Sequence, residues 1–274
     1  MPGTPPASRI ASRDKPQARE LLKRASSARS RRESGLALLE GAHLVSELLA
    51  HRRRAALLCA SDSGLRHEEV RRLFEECPAD ERLVLSDRAF GAVSSVATPT
   101  GLLAVIALPP RSGFPDHVEN AVVLENVQDT GNVGTILRTT AAAGLRTVIS
   151  CGATAFFWSP KVLRAAMGAH FMLDLHESAS ADEVLKAARS PLIATACASG
   201  DSIYALDLVP ECVWLFGNEG VGLTSRLLQA ADMVARIPTA SGIESLNVAA
   251  AAAVCLFEQM RQRSVALNKP VARA

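Results

Sequence analysis

Beyond residue 109 the chain alternates short apolar runs with stretches of helical composition. The runs are Ala121-Val-Val-Leu124, Thr147-Val-Ile149, Phe171-Met-Leu173, Leu192-Ile-Ala-Thr195, Cys212-Val-Trp-Leu-Phe216 and Val234-Ala-Arg-Ile237. Continuous apolar strands separated by helices predict a parallel sheet covered on both faces. Ligands of such sheets bind outside the carboxyl ends of the strands, in the loops that follow. The expected chemistry therefore lies after Leu124, after Phe216 and after Ile237.

The front half carries a lighter version of the same pattern. Ala18 to Ala28 has helical composition, and Leu36-Ala-Leu-Leu39 is a short apolar run before the turn-like Glu40-Gly41. Ala42 to Ala50 reads as a helix, Ala55 to Cys59 as a buried strand, and His67 to Glu76 as a helix. A strand at Leu83-Val-Leu85, a helix from Asp87 to Ser94 and a strand from Gly101 to Leu108 complete a small α/β domain. Pro109-Pro-Arg-Ser-Gly-Phe-Pro115 sets four breakers in seven residues, so the domain boundary is placed there. The expected organisation is a disordered basic tail over 1–17, a first domain over 18–108, a linker over 109–117, a second domain over 118–265 and a flexible C-terminus over 266–274.

Charge sharpens this division. Met1 to Arg54 holds 12 Lys and Arg against 5 Asp and Glu, a net +7, and the remainder holds 18 against 23, a net −5. A basic front on a mildly acidic body suits an arm that faces a polyanion, and a solvated lead-in accounts for the same numbers. Aromatics make up only 4%, with a single tyrosine, which argues against a base-stacking surface. Nucleic-acid contact would then rest on arginine and phosphate. The six cysteines form no C-x-x-C pair and the six histidines no H-x-x-x-H pair, so no metal is expected. The thiols read as small buried hydrophobes in a reducing compartment. No run approaches the roughly 20 apolar residues of a membrane span, and the first fifteen residues lack the apolar core of a secretory leader. Cytoplasm is the expected location.

Three unusual segments fall at the three expected places. The first runs from Glu125 through Asn132, Gly134 and Arg138 to Gly144; a strand ends in polar and glycine residues and a helix begins near Asn132. Asn132 can serve the open amides of that helix start, and Gly134 permits close approach of another backbone. Taken alone, this segment reads first as an ordinary strand–turn–helix with an exposed arginine. The second is Gly217-Asn-Glu219-Gly220-Val-Gly222, glycines around a carboxylate after a buried strand. Its G-x-x-G-x-G spacing is not the dinucleotide fingerprint, and a phosphate-binding G-x-x-x-x-G-K-[ST] is missing from the chain. The third is Ile237-Pro238 followed by Ser245-Leu246-Asn247-Val248 and an alanine-rich stretch. Ser245 or Asn247 can cap the helix that follows, and Ala249 to Ala253 can pack closely on a neighbour.

Taken in order, the three resemble the motifs of the SpoU (TrmH-type) RNA ribose 2′-O-methyltransferases of the SPOUT superfamily. Asn132, Gly134 and Arg138 match an Asn-x-Gly-x-x-x-Arg element. Gly217, Asn218, Glu219 and Gly222 match a Gly-Asn-Glu-x-x-Gly element, and Ile237, Pro238, Ser245, Leu246, Asn247 and Val248 match the third. Thr239 stands where methionine is common and Ala249 where serine is common. Arg31 to Gly41 and Thr98-Pro-Thr-Gly101 look like landmarks of the substrate-binding domain that precedes many such catalytic domains, with Thr100 in place of a frequent glutamine. The likeness spans roughly Ala18 to Gln262.

The resemblance implies a small, ribosomal-protein-like α/β RNA-binding domain followed by an α/β parallel-sheet methyltransferase domain with a C-terminal trefoil knot. It implies S-adenosylmethionine as methyl donor, held by Leu215, Phe216, Gly217, Asn218, Glu219, Gly220, Ile237, Pro238, Ser245, Leu246 and Asn247. Arg138 is the implied catalytic residue, supported by Asn132, Glu219, Ser245 and Asn247. An arginine pKa above about 12 makes it a poor base, so a phosphate-binding, electrostatic role fits it better. Arg138 also joins Arg29, Arg31 and Arg32 as candidate RNA contacts, with Arg52 to Arg54 second. Homodimers are implied, and ribosomal RNA is favoured over transfer RNA. The alternatives are a transfer-RNA ribose methyltransferase, a base methyltransferase, a drug-resistance methyltransferase, and a catalytically silent RNA-binding or ribosome-assembly protein of the same fold.

Overall fold

The computed structural model describes residues 8–9, 20, 22–23, 33–109, 114–197, 199–241 and 245–267. Most of the expected tail, of which Ser8 and Arg9 are described, most of the helix over 18–28, most of the C-terminal stretch 266–274 and linker residues 110–113 lie outside them. Contacts divide the chain into two compact units, Met1–Arg111 with Trp158–Phe171, and Ser112–Phe157 with Met172–Ala274. Trp158–Phe171 thus groups with the first unit, although it falls within the span 118–265 assigned from sequence to the second domain.

The first unit is built on a mixed sheet. Its strands are β1 (Ser8–Arg9), β2 (Leu36–Glu40), β3 (Ala55–Ser61), β4 (Ala79–Leu85) and β5 (Leu102–Ala107), in the order β1-β4-β3-β5-β2. β5 runs antiparallel to both β2 and β3, while β3 and β4 are parallel. Helices α1 (Ala42–Ala50), α2 (Glu68–Glu76) and α3 (Asp87–Gly91) cover it. β2 is buried along its whole length. Gly101 has φ +83°, and a Cβ there would stand 2.6 Å from the Gly64 Cα, so glycine is required where these two backbones meet. Helix α5 (Pro160–Ala166) belongs to this unit: its Arg164 donates to the Ser95 hydroxyl at 2.8 Å and lies 3.9 Å from the buried Glu40 carboxylate. Glu40 also accepts from the Ser95 amide at 3.0 Å and from the Ser94 hydroxyl.

The second unit is built on a fully parallel seven-stranded sheet. Its strands are β6 (Ala121–Glu125), β7 (Thr147–Cys151), β8 (Asp174–Ala179), β9 (Leu192–Thr195), β10 (Asp201–Ser202), β11 (Val213–Phe216) and β12 (Met233–Arg236). The order is β10-β12-β9-β11-β6-β7-β8, which puts β11 at the centre, and all four of its residues are buried. Helices α4 (Thr130–Ala142), α6 (Ala181–Ala187), α7 (Ser225–Ala230) and α8 (Val248–Ala266) flank it. Val123, Ile149, Ala194, Val213 and Leu215 share one core with Val184 of α6 and Leu227 of α7.

The strand expected at Phe171–Leu173 is not formed. Ala169–Phe171 is a 3₁₀ turn, and the strand lies just beyond it in the polar stretch Asp174–Ala179. β8 is an edge strand, half-exposed along most of its length, so it needs no apolar run. The two-residue β10, on the opposite edge, has no apolar signal at all.

Candidate active site

The order of the central strands decides which loops meet. β9 and β6 flank β11, and β12 lies on the far side of β9. The carboxyl ends of β6, β11 and β12 therefore open on one edge, and each leads into one of the three unusual segments.

Helix α4 follows β6 by way of Asn126 to Asp129. Its cap is Asp129, whose carboxylate accepts the Asn132 amide at 2.8 Å. The expectation that Asn132 itself serves the helix start is thereby corrected: Asp129 does so, and the Asn132 side chain is released for other partners. Its Nδ2 donates to Glu219 Oε1 at 2.9 Å, and its Oδ1 accepts from Asn247 Nδ2 at 2.9 Å. Asn247 in turn caps α8, its Oδ1 accepting the Ala249 amide at 2.9 Å and the Ala250 amide at 3.3 Å. One residue from each segment thus joins a single polar chain, Glu219–Asn132–Asn247. Gly134 is buried on α4, which packs against α8.

The loop after β11 is tightly folded. Asn218 and Gly222 exchange backbone hydrogen bonds at 3.0 and 2.9 Å, and Asn218 Oδ1 accepts the Gly220 and Val221 amides. A Cβ on Gly217 would stand 2.3 Å from the Gly222 carbonyl carbon, so only glycine allows this closure. Leu215 and Phe216, which lead into this loop, are fully buried. Glu219 and Gly220 are exposed at the loop tip. On the third segment Ile237 is half-buried, while Pro238, Ser245, Leu246 and Asn247 are exposed.

Arg138 lies six residues beyond Asn132 on α4, about 9 Å along the axis and roughly 120° around it. It is exposed and has no hydrogen bond or ion pair among the described residues. Neither Arg138 nor Ser245 enters the polar chain. Arg29, Arg31 and Arg32 lie outside the described residues. Of the second group, Arg54 pairs with Asp80 and donates to the Ala79 carbonyl at 3.1 Å, while Arg52 and Arg53 point to solvent.

Two further features were not singled out from sequence. Thr195 ends β9, the strand between β11 and β12, and its hydroxyl donates to the Leu215 carbonyl at 3.0 Å. The segment that follows it opens beside the other loops; only the strand order reveals this, because the sequence there is plain. Cys151, beside Glu125 in the sheet register, is the second. Burial, and then the Glu125 carboxylate, push its thiol up to about 11. It is neutral at pH 7 and no nucleophile. Five of the six cysteines are buried as expected, but Cys197 is exposed.

This arrangement leaves Pro238 and Leu246 exposed, while Gly217 is buried and Ile237 half-buried. It offers no acid–base pair, and no cluster suited to a metal among the described residues. Chemistry by positioning suits it best.

Residues 119–257 match the model of the SpoU rRNA methylase family, and residues 15–104 match that of the MRM3-like substrate binding domain. An uncharacterized tRNA/rRNA methyltransferase of Synechocystis is 31% identical over 240 residues, covering 86% of this chain and 87% of its own. The 23S rRNA (guanosine(2553)-2′-O)-methyltransferase RlmP of Bacillus subtilis is 30% identical over 236 residues, covering 84% and 90%. Among solved structures, the AdoMet-bound rRNA methyltransferase of Sinorhizobium meliloti superposes with a TM-score of 0.78 at 26% identity, covering 93% of this chain and 98% of that one.

Proposed function

The chain belongs to the SpoU rRNA methylase family, RNA ribose methyltransferases that use S-adenosylmethionine, and from that premise we propose how its residues divide the work. The observation that carries the reading is the Glu219–Asn132–Asn247 chain, which ties one residue of each segment into a single scaffold. When bound, the donor supplies an electrophilic methyl group on a sulfonium sulfur. The backbone around Leu215, Phe216, Gly217, Asn218, Gly220, Ile237, Pro238 and Leu246 holds its adenosine, and Asn132, Glu219 and Asn247 keep those loops in register. Ser245 faces the ribose or its phosphate.

Arg138 binds the RNA backbone phosphate and stabilises the oxygen as the 2′-hydroxyl gives up its proton, which passes to solvent. An exposed guanidinium without a partner among the described residues is free to take that role. Ribosomal RNA is the proposed substrate, since RlmP acts on 23S rRNA by its name. The front domain grips it through phosphate contacts from Arg29, Arg31 and Arg32.

We further propose a homodimer. Ala250, Val254 and Phe257 recur every three or four residues along α8, Val265 lies eight residues further on, and Phe257 and Val265 are 47% and 69% exposed. Such an apolar stripe suits a second copy. A trefoil knot belongs to the same reading: β12 enters between β10 and β9, so the returning chain must pass the segment that joins those two strands. Buried, unpaired thiols support a cytoplasmic setting.

Arg138→Ala tests the division of labour. Methyl transfer should fall by at least roughly a thousandfold, as for loss of a strong transition-state contact. Calorimetric binding of S-adenosylhomocysteine should stay unchanged. Parallel loss of both would move Arg138 into the donor site and refute its assigned role.

A further inference from the structure

The loop from Gly217 to Thr224 is fastened at two more points, by residues to which the division of labour above gives no part. Glu125 ends β6 and is 3% exposed. Both of its carboxylate oxygens are taken by Thr224: the amide donates to Oε2 at 2.7 Å and the hydroxyl to Oε1 at 2.8 Å. Thr224 is the cap residue of α7, yet its side chain makes no cap bond to that helix. The hydroxyl that would ordinarily serve the helix is spent on the buried carboxylate instead. A buried carboxylate is costly unless its oxygens are satisfied, so each partner fixes the other.

The next residue grips the other end of the loop. Asn126 has φ 58°, an unfavourable left-handed conformation for a residue with a side chain. In that conformation its carbonyl accepts Asn218 Nδ2 at 3.0 Å, and its Oδ1 accepts the Ala153 amide at 2.8 Å. Gly152 makes room for it: a Cβ there would stand 2.4 Å from Asn126 Oδ1. Asn218 and Thr224, at opposite ends of the loop, are therefore both held by consecutive residues of one strand end.

We infer that Glu125 and Thr224 are positioning residues for the methyl donor: they hold the loop in its donor-binding shape before the donor arrives. This rests on the assignment of loop 217–222 to the donor site. Because the same strand end leads into α4, the clamp also references the donor loop to the helix that carries Asn132 and Arg138. Preorganisation of this kind appears in donor affinity more than in turnover at saturation.

The test is calorimetric binding of S-adenosylhomocysteine to the full-length protein, with methyl-transfer kinetics alongside. Thr224→Val removes one charge-assisted bond and should weaken binding about tenfold. KM for the donor should rise in step while kcat changes by less than about threefold. Thr224→Ser restores the hydroxyl and should bind like the wild type. Wild-type affinity in Thr224→Val, or equal weakening in both variants, overturns the inference. Should Thr224→Val fail to fold, amide exchange in the wild-type protein decides: the Thr224 amide should be strongly protected without ligand, although it sits in an exposed loop. Rapid exchange overturns the clamp. A wild-type protein that binds no S-adenosylhomocysteine would instead refute the donor site itself, so the two failures are told apart.

Discussion

Because Asp129 takes the helix cap, the Asn132 amide group is free to donate to Glu219 and accept from Asn247 within one side chain. A carboxylate there could accept but not donate, and a hydroxyl is too short to span both partners. This explains an asparagine at the position better than capping does, and no reading of the segment in isolation finds it, because both partners lie more than 80 residues away. Gly217 was legible as part of a glycine-rich turn, but the reason for it is the backbone of Gly222, which a Cβ would meet at 2.3 Å. Gly217→Ala should therefore weaken S-adenosylhomocysteine binding by about ten- to a hundredfold, the cost of forcing that contact open. Calorimetry checks it, and a wild-type dissociation constant would show that the closed loop is not needed. Arg138 was singled out by the resemblance of the Asn132–Gly134–Arg138 spacing to the family's first motif, since taken alone it reads as an ordinary exposed arginine.

Elements were easiest to place where they are buried on both faces. β6, β9 and β11 lie close to the apolar runs that predicted them, because a central parallel strand leaves few positions for polar side chains, and the mostly half-buried β12 lies within one residue of its run. The edge strands β8 and β10 escaped because exposure relaxes that demand. The α6 start shows a local signal that sequence does carry. Ser180 and Glu183 form a reciprocal capping box, and the Ser180 backbone and side-chain bonds hold the Glu183 carboxyl below its usual range. A carboxyl pKa lowered by folding adds stability above its unfolded value, and that part is lost as pH falls through the folded value. Ser180→Ala should lower the melting temperature by about 2–4 °C near pH 7. The difference should narrow below roughly pH 4. A pH-independent difference, read by thermal denaturation, would show that the Glu183 charge takes no part.

Across the whole molecule, the breaker-rich stretch 109–115 falls where the first unit gives way to the second, between Arg111 and Ser112. That Trp158–Phe171 groups with the first unit was not legible, because nothing in its composition distinguishes it from the surrounding α/β pattern. The carboxyl-edge rule for parallel sheets placed the chemistry after β6, β11 and β12, and the Glu219–Asn132–Asn247 chain lies there. The rule left out the segment after β9, since strand order is a property of the fold and not of any one segment. The central claim is that this edge transfers a methyl group to a ribose hydroxyl, and it is tested most directly by the position of the label. The protein is incubated with methyl-labelled S-adenosylmethionine and protein-free ribosomal or transfer RNA, and the RNA is then hydrolysed in alkali. The account predicts label in an alkali-resistant dinucleotide from the ribosomal fraction, where a blocked 2′-hydroxyl protects the bond. Label released in mononucleotides would place the methyl group on a base and contradict it.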